Sequence, residues 1–125
     1  MRAVLDTSVV LATDVPTLEG ELAISVATLA ELHFGVLIAR DPATRAERLR
    51  RLTTLERTLA ALPVDAAVAA SYGQLAAAVA AAGRPRARTM DLLIAATAHV
   101  HAARLYTRNP RDLAGIESLV QVVAV

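Results

Sequence analysis

No cysteine, no lysine and no long apolar run occur in this chain of 125 residues, and each absence excludes something. Without cysteine there is no disulfide framework, no thiolate nucleophile and no thiolate-ligated metal, and nothing requires an oxidising compartment. All thirteen basic residues are Arg, so a mechanism that depends on a lysine is ruled out. No apolar stretch approaches the roughly 20 residues that span a bilayer. The N-terminus lacks a basic segment leading into a long apolar stretch and a cleavage site, so a soluble cytoplasmic protein is expected. Aromatic residues make up 2% of the chain and hydrophobic residues 55%, a balance that favours small side chains and closely packed helices. The net charge of +1 predicts no partner by itself. The length fits one domain with a core that needs no staples.

What is present alternates between strand and helix. RAVL at 2–5 reads as a short buried strand followed by a helical turn from Ser8, and ELAIS at 21–25 as a second strand. Ser25 is placed to cap a helix over 26–40. Asp41 and Pro42 restart the helix as cap and first position. Residues 43–59 form the most amphipathic segment, with Leu49, Leu52, Leu55 and Leu59 set against Arg45, Arg48, Arg51 and Glu56. LPVD at 62–65 reads as a strand running into a cap at Asp65, and an alanine-rich helix then continues to Gly83. A basic loop at 84–89 leads to a helix over 90–103 capped by Thr89. RLYT at 104–107 and SLVQVVAV at 118–125 are the last strands, with a turn or short helix at NPRDL between them. This order predicts an α/β fold, one domain over residues 1–125 with a central, mainly parallel sheet covered by helices on both faces.

Three acids interrupt apolar segments. Burying an unpaired carboxylate costs several kcal/mol or forces it to hold a proton, so each needs a partner, a capping role or a cation. Asp6 ends the first strand, where it can cap the next turn or hold a ligand beyond the strand's carboxyl end. Glu31 lies past the first turn of its helix, beside Ala27, Thr28, Phe34, Gly35 and Ile38. It therefore serves a site or is a buried Glu paired with an Arg. Asp91 sits near the start of DLLIAATA, which suits a first-turn acid as well as a ligand. A fourth polar position follows the strand at 104–107, where Thr107, Asn109 and Asp112 lie in TRNPRDL. Carboxylates gathered at one site repel each other unless a cation joins them. Oxygen donors without Cys or His suit Mg²⁺ or Mn²⁺, and such an ion activates water for phosphodiester hydrolysis.

The segments VLDTSVVLA, ISVATLAELHFG, MDLLIAATA and LYTRNPRDL, in that order along nearly the whole chain, resemble the PIN-domain family and especially the VapC-type ribonuclease toxins. The resemblance implies a PIN fold, cleavage of RNA dependent on Mg²⁺ or Mn²⁺, a VapB-type antitoxin partner and a homodimer. It makes Asp6 and Asp91 the principal metal ligands, with Glu31 completing the acidic set as ligand or as orienter of the attacking water. The fourth position falls at Asn109, neutral where many relatives carry an acid, and Asp112 is able to supply the missing charge. At most one tightly held ion is therefore expected without substrate. Thr7 and Ser8 fit the same motif as hydroxyls near metal or phosphate, with Thr107 a further accessory.

A polyanionic substrate needs cations around an acidic site. Arg84, Arg86 and Arg88 lead into Asp91, and Arg104, Arg108 and Arg111 flank Asn109. Of these, Arg108, Arg111, Arg86 and Arg88 are the expected RNA contacts. With only Phe34, Tyr72 and Tyr106 aromatic, recognition leans on phosphates and shape more than on base stacking. The leucine- and alanine-rich helices at 26–59 offer either ordinary core packing or a groove for an antitoxin helix. His33, His99 and His101 lack a convincing Ser or Cys partner and read as core or surface residues. An aspartyl-phosphate enzyme would need a second acid beside Asp6 and a lysine, and neither is present. The alternative left open is a PIN-like module that binds RNA or protein without cleaving, a reading that Asn109 favours.

Overall fold

The computed structural model describes residues 1–84 and 87–125. Strand β1 (Arg2–Leu5) divides the interior by its alternation. Val4 faces one apolar cluster, and Ala3 and Leu5 face the other. Beside it lie β2 (Glu21–Ser25) and, on its other edge, β4 (Arg104–Thr107). The outer strands are β3 (Ala60–Leu62) and β5 (Val122–Ala124). The order is β3-β2-β1-β4-β5 and every pairing is parallel, so the expected parallel sheet is the one observed.

Helices cover both faces, as a parallel sheet requires. One cluster joins Val4 and Leu105 to α4 (Ala66–Ala81) and α5 (Thr89–Val100) through Val68, Leu75, Leu92 and Ile94. The other joins Leu5, Ile24 and Tyr106 to α1 (Thr7–Leu11), α2 (Val26–Leu37) and α3 (Pro42–Thr58) through Val9, Val10, Leu32 and Leu55. Asp41 caps α3 with Pro42 in its first turn, Asp65 caps α4, and Gly83 takes a φ of +67° just past the end of α4. These terminators stand where residue chemistry places them.

Several expected boundaries move for physical reasons. The helix expected over 26–40 stops at Leu37, because Asp41 must be extended ahead of Pro42 and the chain needs room to turn. The strand expected at 62–65 lies at 60–62, since Pro63 has no N–H to give the ladder. Thr89 is the first helical residue of α5 and makes no cap; Arg88 holds the cap position without a side-chain hydrogen bond. The last strand shrinks from 118–125 to 122–124, because Leu119 and Val120 turn back to the carbonyl of Ile116. In α3 only Leu52 is buried, and Leu49 is 50% exposed. The arginines of that helix serve another end: Arg45 and Arg48 donate to the carbonyls of Leu37 and Gly35, and Arg51 to that of Val10. They satisfy the open carbonyl ends of α2 and α1.

Candidate active site

The chain leaves β1 toward β2 and β3 and returns through β4 to the opposite side, so loops diverge beyond the carboxyl ends of β1 and β4. A cleft opens at such a switch point. Here it measures about 240 Å³ and is lined by Asp6, Thr7, Ser8, Glu31, Asp91, Asn109 and Asp112, with Arg88, Leu11 and Leu113. The three acids that stood out along the chain thus meet at one place, brought there by β1, α2 and α5.

Each is engaged by a hydrogen bond or an ion pair. Asp6 caps α1 through Oδ1, which accepts from the N–H of Val9 at 3.2 Å and from the Ser8 hydroxyl at 2.5 Å. Both bonds fall on Oδ1, leaving Oδ2 outside them. Capping and site placement therefore coexist in one side chain. Glu31 Oε1 accepts from the Thr7 hydroxyl at 2.6 Å, and that hydroxyl lies 3.2 Å from Thr28 Oγ1. Glu31 Oε2 accepts from Arg88 Nη2 at 3.4 Å, so the pairing of Glu31 with an Arg is also realised. Asp91 in the first turn of α5 has Oδ2 3.6 Å from Arg88 Nε.

The loop after β4 is tied to the other wall. The N–H of Arg108 donates to the Ser8 hydroxyl at 3.1 Å, and the N–H of Asn109 donates to Thr107 Oγ1 at 3.0 Å. Thr107 is fully buried and shapes this turn without lining the cleft. Asn109 and Asp112 are exposed at the rim.

Charge is concentrated in this cleft. Burial pushes the Asp91 carboxyl above its ordinary value, the carboxylates of Glu31, Asp112 and Asp6 push it further, and Arg88 opposes them. Among the described residues no three His, Asp or Glu side chains are closed around one point as a metal cage. The donor chemistry nevertheless fits a hard cation: four carboxylates, one amide and two hydroxyls, with no nitrogen or sulfur ligand. A divalent ion would remove the repulsion that raises Asp91.

The expected basic rim is only partly assembled. Arg84, Arg88 and Arg111 line a second cleft of about 370 Å³ that shares Asp91 and Asp112 with the first. Arg108 is engaged by Asp14, with Nη1 and Nη2 at 2.8 and 3.2 Å from its carboxylate. Arg104 does not flank Asn109, since it begins β4 at the strand's amino end, about 10 Å of strand before Thr107. Its guanidinium lies over the Tyr106 ring instead. Arg86 lies outside the described residues.

Two features escaped the sequence reading. His99 does have a serine partner, Ser71, with Oγ 2.7 Å from Nδ1. The pair bridges α4 and α5 with the serine buried, away from the acidic cleft. Asp14 carries no positional signal, and only the fold brings it to Arg108.

The PIN domain matches residues 3–117. Ribonuclease VapC8 of Mycobacterium tuberculosis is 43% identical over 101 residues, 77% of this chain and 89% of that protein. Ribonuclease VapC5 of M. tuberculosis strain H37Rv is 39% identical over 125 residues, 95% of this chain and 90% of that protein. Among solved structures, VapBC-5 of M. tuberculosis, a member of the VapBC family of toxin–antitoxin systems, superposes with a TM-score of 0.85. It is 37% identical and covers 99% of this chain and 97% of that one. VapBC2 of Rickettsia felis, solved on a DNA fragment from its promoter, shares the fold at a TM-score of 0.80 and 22% identity, covering 99% and 98%.

Proposed function

The chain belongs to the PIN domain family, and from that premise we propose that it is a divalent-metal-dependent endoribonuclease, the toxin of a toxin–antitoxin pair. The observation that carries this reading is the oxygen-only cleft that draws Asp6, Glu31 and Asp91 from three separate elements to the carboxyl ends of a parallel sheet. Asp6 and Asp91 would hold Mg²⁺ or Mn²⁺, with the Asn109 carbonyl or Asp112 completing the set. Bound there, the ion lowers the pKa of a water ligand and offsets charge on the phosphodiester.

The remaining work falls to side chains. Thr7 orients Glu31 by donating to Oε1, so that the carboxylate is aimed to accept a proton from the attacking water. Ser8 fixes Asp6 and at the same time anchors the β4 loop through the N–H of Arg108. The hydrolysis needs no covalent intermediate, and neither hydroxyl serves as nucleophile. RNA phosphates are met by Arg111 and Arg88 beside the acidic cleft. Arg108 joins them on release from Asp14.

A second groove of about 390 Å³ adjoins the cleft, sharing Thr7, Leu11 and Glu31 with it and extending over Phe34, Leu52 and Leu55. Phe34 is 63% exposed and Leu37 70%, and we assign this apolar surface to a segment of a VapB-type antitoxin. VapBC-5 is itself a member of a toxin–antitoxin family, which supports the assignment. A homodimer acting in the cytoplasm completes the reading. No described helix is long and apolar enough to cross a membrane.

The test is a cleavage assay of purified, antitoxin-free protein on pooled cellular RNA with Mg²⁺, Mn²⁺ or EDTA, beside Asp91→Asn. Discrete fragments that require metal and vanish in the variant are expected. Binding of RNA without cleavage by folded protein in either metal would overturn the reading in favour of a non-enzymatic module.

A further inference from the structure

Among the described residues, one cation sits among the carboxylates. Arg88 directs Nη2 to Glu31 Oε2 at 3.4 Å and Nε to Asp91 Oδ2 at 3.6 Å. It therefore bridges two acids that come from different helices. Both contacts are long for charge-assisted bonds, which run at about 2.7–2.9 Å. The Arg88 side chain is 72% exposed, whereas those of Glu31 and Asp91 are 22% and 25% exposed. The acids are the fixed partners and the guanidinium is the one with freedom to leave. It also has somewhere to go, because Arg88 lines both the acidic cleft and the neighbouring cleft that holds Arg84 and Arg111.

On the metal-dependent reading proposed above, we infer that Arg88 is a built-in counter-ion of the cleft: it bridges Glu31 and Asp91 in the metal-free protein, and a divalent cation must displace it to bind. Four carboxylates facing one another are unstable without positive charge. Arg88 supplies part of it, holding the acids in place until a metal arrives. The guanidinium and the metal compete for the Asp91 carboxylate, and the metal's charge makes the cation at Glu31 unnecessary, so loading the cleft frees Arg88 toward Arg84 and Arg111, on the side where phosphates are met. The exchange breaks two ion pairs that are open to solvent on the Arg88 side, and no covalent bond.

Calorimetric titration of the full-length, metal-free protein with Mn²⁺ alone tests this at low salt. Arg88→Gln should bind Mn²⁺ about three- to tenfold more tightly than the wild type, the range set by releasing two long ion pairs to a mostly exposed guanidinium. Arg111→Gln removes the same charge nearby, but Arg111 makes no ion pair among the described residues, and it should change the affinity by less than about twofold. A side-chain nitrogen spectrum supplies the second measurement: the Arg88 Nε–H signal should move in step with Mg²⁺ occupancy. Equal Mn²⁺ affinity in wild type and Arg88→Gln, with binding lost in Asp91→Asn, overturns the counter-ion and leaves the metal site standing. Equal gains from Arg88→Gln and Arg111→Gln also overturn it, since general charge then explains the effect. Absence of Mn²⁺ binding in every folded variant overturns the metal-dependent reading itself, and the counter-ion with it.

Discussion

Replacing Asp6 by Asn and, separately, by Ala should separate its cap of α1 from the metal-holding role proposed for it. Its Oδ1 caps α1 through the N–H of Val9 and accepts the Ser8 hydroxyl. Asn keeps an oxygen in the same place and ranks with Asp as a cap. Ala removes it, at a cost of about 1 kcal/mol for the cap and about 1 kcal/mol for the stranded hydroxyl. Unfolding entropy near 2.1 cal/mol/K per residue makes about 0.26 kcal/mol/K for a chain of this size, so a loss of about 2 kcal/mol lowers Tm by about 8 °C. In EDTA, Asp6→Ala should melt about 8 °C below wild type and Asp6→Asn within about 2 °C of it. Neither should cleave RNA. Mn²⁺ at about 100 times its dissociation constant should stabilise the wild type by about 2.7 kcal/mol, and neither variant should follow. Thermal melting by circular dichroism, with and without Mn²⁺, reads all of this. An Asp6→Asn protein that melts as low as Asp6→Ala would refute the capping argument. One that keeps Mn²⁺ stabilisation and cleavage would refute the assignment of Asp6 to the metal.

Asp91 carries a pH signature. Its folded pKa is raised, chiefly by burial and then by Glu31, Asp112 and Asp6, so its stabilising contribution is complete below its ordinary value of 3.8 and is lost as pH rises through the folded value. Urea midpoints in EDTA should therefore fall for wild type relative to Asp91→Asn as pH rises toward neutrality, and parallel profiles would sink the claim. Asn109→Asp adds a carboxylate at the rim and should tighten Mn²⁺ on the order of tenfold by calorimetry; unchanged affinity would place Asn109 outside the ligand set. Leu52→Ala truncates a side chain only 2% exposed between α3 and the neighbouring groove. It should cost about 3 kcal/mol by urea unfolding, and a loss below about 1 kcal/mol would mean that α3 is loosely docked.

Elements with chemical punctuation were legible in the sequence. Ser25, Asp41-Pro42, Asp65 and Gly83 stand at the helix ends they announce, because caps and turn residues act through bonds to near neighbours. The acids were legible for a different reason: a carboxylate in an apolar segment has no cheap explanation. Where the reading slipped, a distant partner or a missing donor decided. Pro63 ended β3 early, Thr89 lost its cap position to Arg88, and the α3 arginines went to the carbonyl ends of other helices.

The sequence by itself determined the alternation of strand and helix, the parallel sheet and the identity of Asp6, Glu31 and Asp91 as candidates, since periodicity, capping and the cost of buried charge are local properties. Apart from Arg88, which stands three residues before Asp91, tertiary structure decided which cations stand near them. Arg88 reaches Glu31 across 57 residues and Arg108 reaches Asp14 across 94, while Arg104 is held at the amino end of β4, opposite the cleft. An ion pair forms wherever the fold brings two charges within a few ångströms, and beyond the three- or four-residue spacing of a helix face separation along the chain does not reveal that distance.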